Sequence, residues 1–246
     1  MIEYQIFKKL SIVVPVYNEE AFLETIIGKV ISQPLPGGLN RELILVNDGS
    51  TDKTWQVMQT FPEKFPGIEF QFVNKSKNEG KGAALRDGFA KVNGDIIIIQ
   101  DADEEYDPAD YPKLLQPIID GKADVVYGSR FSGETHRVMF FWHQVANKIL
   151  TLFSNMLTNL NLTDMEVCYK VFVRDVIDKI KIKSCRFGVE PEITAKIARL
   201  RINGKHIRIY ETGISYAGRT YEEGKKIGYK DAISALFQII RFRFVD

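Results

Sequence analysis

The sequence is poor in cysteine and histidine, with two and three of them in 246 residues, and it holds no C-x-x-C pair and no histidine pair at zinc-finger spacing. A disulfide scaffold and a structural zinc site are therefore disfavoured. Cys168 and Cys185 are expected to fill core space as free thiols, which fits a reducing compartment. Long apolar runs are missing too. The tightest is Ile96-Ile97-Ile98-Ile99, far short of the roughly 18 residues that a transmembrane helix needs. Met1-Ile2-Glu3-Tyr4-Gln5 offers no basic region followed by an apolar one, so no secretory signal is read and cytoplasmic residence is the expectation. Neither sign of charge dominates: 33 Lys+Arg face 32 Asp+Glu for a formal net charge of +1. That balance argues against disorder and against a nucleic-acid partner held by overall charge. Glycine-rich phosphate cradles are also lacking. No Gly-x-Gly-x-x-Gly follows the first predicted strand and no Gly-Lys pair precedes Ser or Thr, which disfavours Rossmann-type and Walker-type phosphate binding.

What is present reads as a single globular domain over residues 1–246, 45% hydrophobic and 26% charged, with no repeat, low-complexity tract or dividing linker. The first half alternates short β-branched runs with amphipathic segments, the signature of βαβ units and a mainly parallel sheet. Strands are predicted at Ser11–Val16, Glu42–Asn47, Ile68–Asn74, Asp95–Gln100 and Ala123–Tyr127. Helices are predicted near Glu19–Ser32, Thr51–Thr60, Lys81–Val92 and Pro108–Asp120, the last opened by Asp107 as cap and Pro108 in the first turn. In the second half, Val138, Phe141, Trp142, Val145, Ile149, Leu152, Met156 and Leu160 recur at spacings of three and four, as one long amphipathic helix. Further helices are expected near Val189–Leu200 and Tyr229–Phe244, with strand-like Lys205–Tyr216 between them.

Open parallel sheets bind ligands beyond the carboxyl ends of their strands. Strand one runs into Pro15-Val16-Tyr17-Asn18-Glu19-Glu20, strand two into Asn47-Asp48-Gly49-Ser50-Thr51-Asp52, strand four into Gln100-Asp101-Ala102-Asp103 and strand five into Gly128-Ser129-Arg130. Asp101 and Asp103 stand two residues apart at a strand end, so the period of two points both the same way. Hard oxygen ligands in so small a cluster suit Mg²⁺ or Mn²⁺, which take the rest of their shell from water and substrate phosphates. Taken alone, the pair could equally be solvated acids in a loop that continues through Glu104, Glu105 and Asp107.

Those strand-end segments, with Asn78-Glu79-Gly80-Lys81-Gly82 before the third helix, together resemble the donor site of family two glycosyltransferases. The resemblance implies the GT-A fold, a Rossmann-like sheet flanked by helices, here with a C-terminal amphipathic helical extension. Gly128-Ser129-Arg130-Phe131, the segment Thr163 to Lys170 and the segment Ser215 to Lys226 are similar to the branch of dolichyl-phosphate mannose synthases and related polyprenyl-phosphate glycosyltransferases, and the likeness covers roughly residues 10–244. It implies an inverting transfer of a hexose from a nucleotide diphosphate sugar. By this resemblance Pro15, Tyr17 and Glu19 hold the base and ribose, Asp48 accepts a hydrogen bond from the base, and Lys81 approaches the donor near the nucleotide. Asp101, Ala102 and Asp103 line the diphosphate, and the two aspartates hold the metal. Glu105 stands where some relatives place a glutamine ligand. Arg219 and Lys225 clamp phosphate from a basic segment.

The acceptor class follows from charge. A sugar hydroxyl needs a general base, for which Asp164 is the candidate, or else Asp164 orients a basic neighbour. A lipid phosphate is already ionised near neutral pH and calls for cations instead, and Arg130, His136, Arg137, Lys170, Arg219, Lys225 and Lys226 fall in segments around the predicted site. Residues 219–246 form a basic, amphipathic segment, and Met139-Phe140-Phe141-Trp142 is more aromatic than one buried stripe requires. Helices of this kind can lie in a membrane interface, or serve as core or homo-oligomer contacts. Several relatives carry C-terminal transmembrane helices beyond this point, so membrane attachment is expected to be peripheral, at the cytoplasmic face. The basic stretch Lys196, Arg199, Arg201, Lys205, Arg208 lacks interleaved aromatics and is expected to be a solvated face rather than an RNA site.

Overall fold

The structure is a computed structural model that describes residues 7–133, 135, 137–138, 140–186, 188–218 and 229–245, with the backbone alone over 229–233. Buried parallel strands read as unbroken apolar runs rather than as alternations, and Ile96–Ile99 is the plainest case. The strands are β1 (Lys9–Val16), β2 (Asn40–Asn47), β3 (Glu69–Asn74), β4 (Ile96–Ile99), β5 (Val125–Ser129), β6 (Lys170–Val173) and β9 (Ile209–Gly213), and a two-strand hairpin is formed by β7 (Arg201–Ile202) and β8 (Lys205–His206). The main sheet has the order β3-β2-β1-β4-β6-β5-β9. All its neighbours run parallel except β6, which is antiparallel to both β4 and β5. Helices α1 (Leu23–Ser32), α2 (Thr54–Gln59), α3 (Phe61–Lys64), α4 (Lys81–Phe89), α5 (Tyr111–Ile119), α6 (Phe141–Thr158), α7 (Arg174–Ile177), α8 (Val189–Arg199) and α9 (Tyr229–Phe244) connect and cover the strands.

The predicted helix at Pro108–Asp120 opens as a 3₁₀ turn, Pro108–Asp110, and continues as α5. Asp107 caps it, its Oδ1 accepting from Ala109 N at 2.9 Å. The core is continuous from α1 through both faces of the sheet to α5 and α8.

Several expectations change. Strand β6 was not foreseen, because its four residues begin with a lysine. The apolar stripe of α6, for which the sequence leaves membrane-interface and core readings both open, faces outward: Phe141, Trp142, Ile149, Leu152 and Met156 are exposed, Trp142 by 75%, while α6 packs through Leu150, Thr151 and Ser154. In α9, Ile239 and Phe242 are buried and Leu236, Phe237 and Ile240 exposed. Cys168 is buried as expected, but Cys185 is exposed; both are free thiols. Lys196, expected on a solvated face, is enclosed and pairs with Glu192 at 2.8 Å.

Candidate active site

The carboxyl ends of β1, β2 and β4 meet at one edge, and short polar side chains stitch the loops that leave them. Asn18, at φ +53°, donates its N–H to Ser50 Oγ at 3.0 Å and accepts from Thr51 N at 2.8 Å. Glu19 N donates to Thr54 Oγ1 at 3.0 Å. Gly49, at φ +68°, has no alternative, because a Cβ there would run into the backbone of Lys77 and Asn78. Asp48 fixes the same approach from below: it accepts from Glu79 N at 3.1 Å and Gly80 N at 2.6 Å, with Lys75 Nζ at 3.3 Å. Buried and holding two backbone donors, Asp48 braces the loop. Pro15 lies in β1 and is half-buried, whereas Tyr17 is exposed at the mouth of the same edge.

At the end of β4, Gln100 is fully buried, and its Oε1 accepts from both Tyr111 and Tyr169 hydroxyls at 2.7 Å while its Nε2 donates to Asp101 O at 3.0 Å. This anchor aims the following residues outward. Asp101 takes Lys81 Nζ at 2.9 Å, Ala102 is buried beside it, and Asp103 Oδ1 accepts from Glu105 N at 3.2 Å. Burial works against the Lys81 charge, but Asp101 and Glu190 outweigh it and hold its pKa well above the ordinary lysine value. Glu105 accepts from the Tyr216 hydroxyl at 2.9 Å, and its carbonyl accepts from Ala217 N at 3.0 Å.

Across the edge, Arg130 follows β5 and is gripped by Asp164. The guanidinium gives two bonds of 2.7 Å from Nε and Nη2, and Arg130 N gives a third of 3.1 Å. Planar forks and carboxylates match in this way. Asp164 is fully buried, and its contacts are those of a side chain that orients Arg130. Burial opposes the Arg130 charge, yet Asp164 keeps its pKa well above the ordinary arginine value. The guanidinium also lies 5.2 Å from the Tyr216 ring centroid, within cation–π range. Arg137 approaches the same wall, its N–H donating to Tyr216 O at 2.8 Å and its Nη1 to Gly218 O at 3.3 Å.

Lys170 was expected to meet acceptor phosphate, but it is 0% exposed. Its Nζ is taken by Glu190 Oε2 at 2.5 Å and by Val167 O, so it stands behind the site and not on its wall. His136, Arg219 and Lys225 lie outside the described residues, as does Lys226.

Among the described residues no three His, Cys, Asp or Glu side chains converge on a point. The expected metal set of Asp101, Asp103 and Glu105 is thus not drawn together, because Tyr216 engages Glu105 and Lys81 engages Asp101. The donor chemistry still suits a hard cation. Two carboxylates at one strand end, completed by a diphosphate and water, is the usual way Mg²⁺ is held.

Sequence reasoning missed Gln100, Glu190 and Glu166. Glu166 sat unassigned inside the segment Thr163 to Lys170, while Glu190 follows no local signal at all. Glu166 Oε1 is enclosed with no hydrogen-bond partner among the described residues. Desolvation first, then repulsion from Glu190 and Asp164, pushes this carboxyl up to about 7 against the attraction of Lys170 and Arg130. The folded chain therefore favours the protonated form, and stability falls as pH rises from about 4.5 to about 7. Glu166→Gln, which keeps the neutral shape, is expected to stabilise the fold by about 3 kcal/mol at pH 8 in urea titrations and by nothing below the ordinary carboxyl pKa.

Residues 11–181 match the family described as Glycosyl transferase family 2. The chain belongs to that family. This family 2 glycosyltransferase chain is 26% identical over 223 residues to a dolichol-phosphate mannosyltransferase of Pyrococcus furiosus, covering 89% of this chain and 60% of the relative. It is 28% identical over 222 residues to an undecaprenyl-phosphate 4-deoxy-4-formamido-L-arabinose transferase of Photorhabdus laumondii, covering 90% of this chain and 64% of the relative. The chain thus spans under two thirds of the length of both. Among solved structures, glucosyl-3-phosphoglycerate synthase from Mycobacterium tuberculosis with Mn²⁺, UDP and phosphoglyceric acid superposes at a TM-score of 0.70, with 20% identity and coverage of 96% of this chain and 77% of that one. That likeness establishes the fold: a mixed α/β GT-A architecture with a mainly parallel central sheet flanked by helices.

Proposed function

We propose that this family 2 chain transfers a hexose, with inversion, from a nucleotide diphosphate sugar of the GDP-mannose or UDP-glucose type to a polyprenyl phosphate. The observation that carries the acceptor class is the state of Asp164. The carboxylate expected to serve a hydroxyl acceptor as base is fully buried and committed to Arg130, whereas the wall around it carries the exposed Arg137 with the Arg130 guanidinium behind it. An ionised phosphate needs cations, not a base. The names of the polyprenyl-phosphate transferases to which the chain is similar support the same reading.

In this mechanism the acceptor phosphate oxygen attacks C1 of the hexose from the face opposite the diphosphate, and the C1–O bond to the leaving group breaks as the new one forms. Arg130, held by Asp164, and Arg137 orient the acceptor. Lys81 fixes Asp101 at the strand end, and Tyr17 and Glu19 border the nucleotide. A divalent cation, Mg²⁺ or Mn²⁺, held by Asp101 and Asp103 would supply positive charge against the diphosphate.

A lipid acceptor also needs an apolar approach. Helix α6 reaches Arg130 through Asn147, whose Oδ1 accepts from Nη2 at 3.4 Å, and its neighbouring face is the exposed stripe of Phe141, Trp142, Leu152 and Met156. A groove of about 440 Å³ runs alongside, lined by Phe131, Lys148, Leu152, Leu162 and Thr163. Headgroup and chain would thus meet at one place, with this face lying against a membrane. No described helix is long and apolar enough to cross one.

A saccharide hydroxyl acceptor, with the same donor chemistry, is the second reading. The deciding experiment offers labelled GDP- and UDP-sugars with Mg²⁺ or Mn²⁺, with and without polyprenyl phosphate. The expected product is organic-extractable label from one donor, dependent on the added lipid. Turnover that leaves the lipid unlabelled overturns the acceptor assignment.

A further inference from the structure

Behind the strand-end carboxylates lies a line of alternating charge that the donor site alone does not require. Lys170 Nζ meets Glu190 Oε2 at 2.5 Å, Glu190 Oε1 meets Lys81 Nζ at 3.3 Å, and Lys81 Nζ meets Asp101 Oδ1 at 2.9 Å. Among the described residues, Glu190 is the member of this line that touches two cations. It sits in the first turn of α8, a rigid element and an electrostatically favourable place for a carboxylate. Lys81, by contrast, ends a flexible four-carbon stem, so an ion pair to Asp101 alone would leave both side chains free to move together.

The backbone repeats the same coupling. The segment that leads into α8 lies across the start of α4: Ala83 N donates to Cys185 O at 3.1 Å, and a Cβ at Gly82 would collide with Ser184 O. Glu192, also in the first turn of α8, holds that segment by accepting from Lys183 N and Ser184 N, each at 2.7 Å. Two independent sets of contacts therefore fix the start of α8 against the residue that carries Lys81.

We propose that Glu190 is a positioning residue, which pins the Lys81 ammonium from α8 and through it sets Asp101 for the donor. Lys170 is the buried counter-charge that keeps Glu190 in place. Removing a partner of this rank around a metal or phosphate site commonly costs about 10-fold or more in affinity. The inference rests on the proposed donor site only for its functional consequence, since the geometry of the Lys81 ammonium can be read without any ligand.

The test uses the whole chain labelled with ¹⁵N-lysine. An ammonium held between two carboxylates exchanges its hydrogens slowly, so Lys81 should give an Nζ correlation, assigned by its disappearance in Lys81→Met. Glu190→Gln is expected to broaden or abolish that signal. Glu190→Asp is a second variant that preserves the buried charge; it should keep the shorter contact to Lys170 and still lose the Lys81 signal. For the functional arm, binding of UDP and GDP with Mg²⁺ is measured by calorimetry. Lys81→Met and Glu190→Gln should each weaken binding about 10-fold, and the double variant no more than Lys81→Met alone. An unchanged Lys81 signal in both Glu190 variants, or losses that multiply in the double variant, overturns the proposal. If the wild-type chain binds neither nucleotide, the donor assignment fails, and the ammonium signal still decides whether Glu190 positions Lys81.

Discussion

Asp164→Ala is expected to destabilise the fold by about 3–5 kcal/mol, because it strands the Arg130 guanidinium in a dry site. Asp164 is fully buried and accepts three bonds from Arg130, and no solvent can replace them where they lie. Thermal or urea unfolding measures the loss directly. Asp164→Asn separates orientation from proton transfer. It keeps the shape and forfeits the charge, so stability and turnover should both fall while the pH dependence of the remaining turnover keeps its form. A base would behave differently: its loss would remove the ionisation on the acid side of the profile. An Asp164→Asn variant as stable as the wild type would contradict the ion pair itself.

Asp103→Ala should have the opposite signature, a fall in transfer of about 10³-fold with stability nearly unchanged. Asp103 is half-buried in the loop beyond β4, where its Oδ1 accepts a bond from Glu105 N, and it lies outside the hydrophobic core. Its expected contribution is made when charge develops on the leaving diphosphate, the stage at which electrostatic groups act most strongly. Product formation across a Mg²⁺ titration, beside a melting curve of the same sample, reads both halves. Full activity in metal-free buffer would exclude the assigned role. Asp101→Ala should be less clean, since it also releases Lys81.

Much of the donor half was legible in the sequence for a physical reason. Parallel strands buried on both faces must be apolar throughout, so Ile96–Ile99 and the β-branched core of β1 announce themselves, and the polar residues just after them mark the ligand edge. Strand β6 was hidden because Lys170 opens it, and a lysine reads as a surface or site residue unless its counter-charge is known. That partner, Glu190, comes from a helix later in the chain, and no local pattern links the two. Periodicity located α6 and α9 but left their inner faces open. Leu150, Ile239 and Phe242 pack inward, and Phe141, Trp142, Leu236 and Phe237 are exposed among the described residues, a division that spacing alone does not carry. Asp164 had two readings of nearly equal standing from sequence, and only the distance to Arg130 separated them.

The reversal of β6 has a consequence for how such a protein can diversify. Because β6 runs against its neighbours, the chain leaves the sheet at Ser129 and comes back at Lys170 on the same edge. The whole intervening excursion, including α6 and the partner of Arg130, is a loop tied down at both of its ends. Its closure entropy grows only slowly with length, and the donor-side strands β1, β2 and β4 do not pass through it. Lengthening, shortening or exchanging the part of that loop that carries α6 would retune the proposed acceptor side, provided Tyr169 is kept on Gln100 to hold the proposed donor side. Chimaeras that begin after Ser129 and end before Cys168 and Tyr169 are the natural test of that separation.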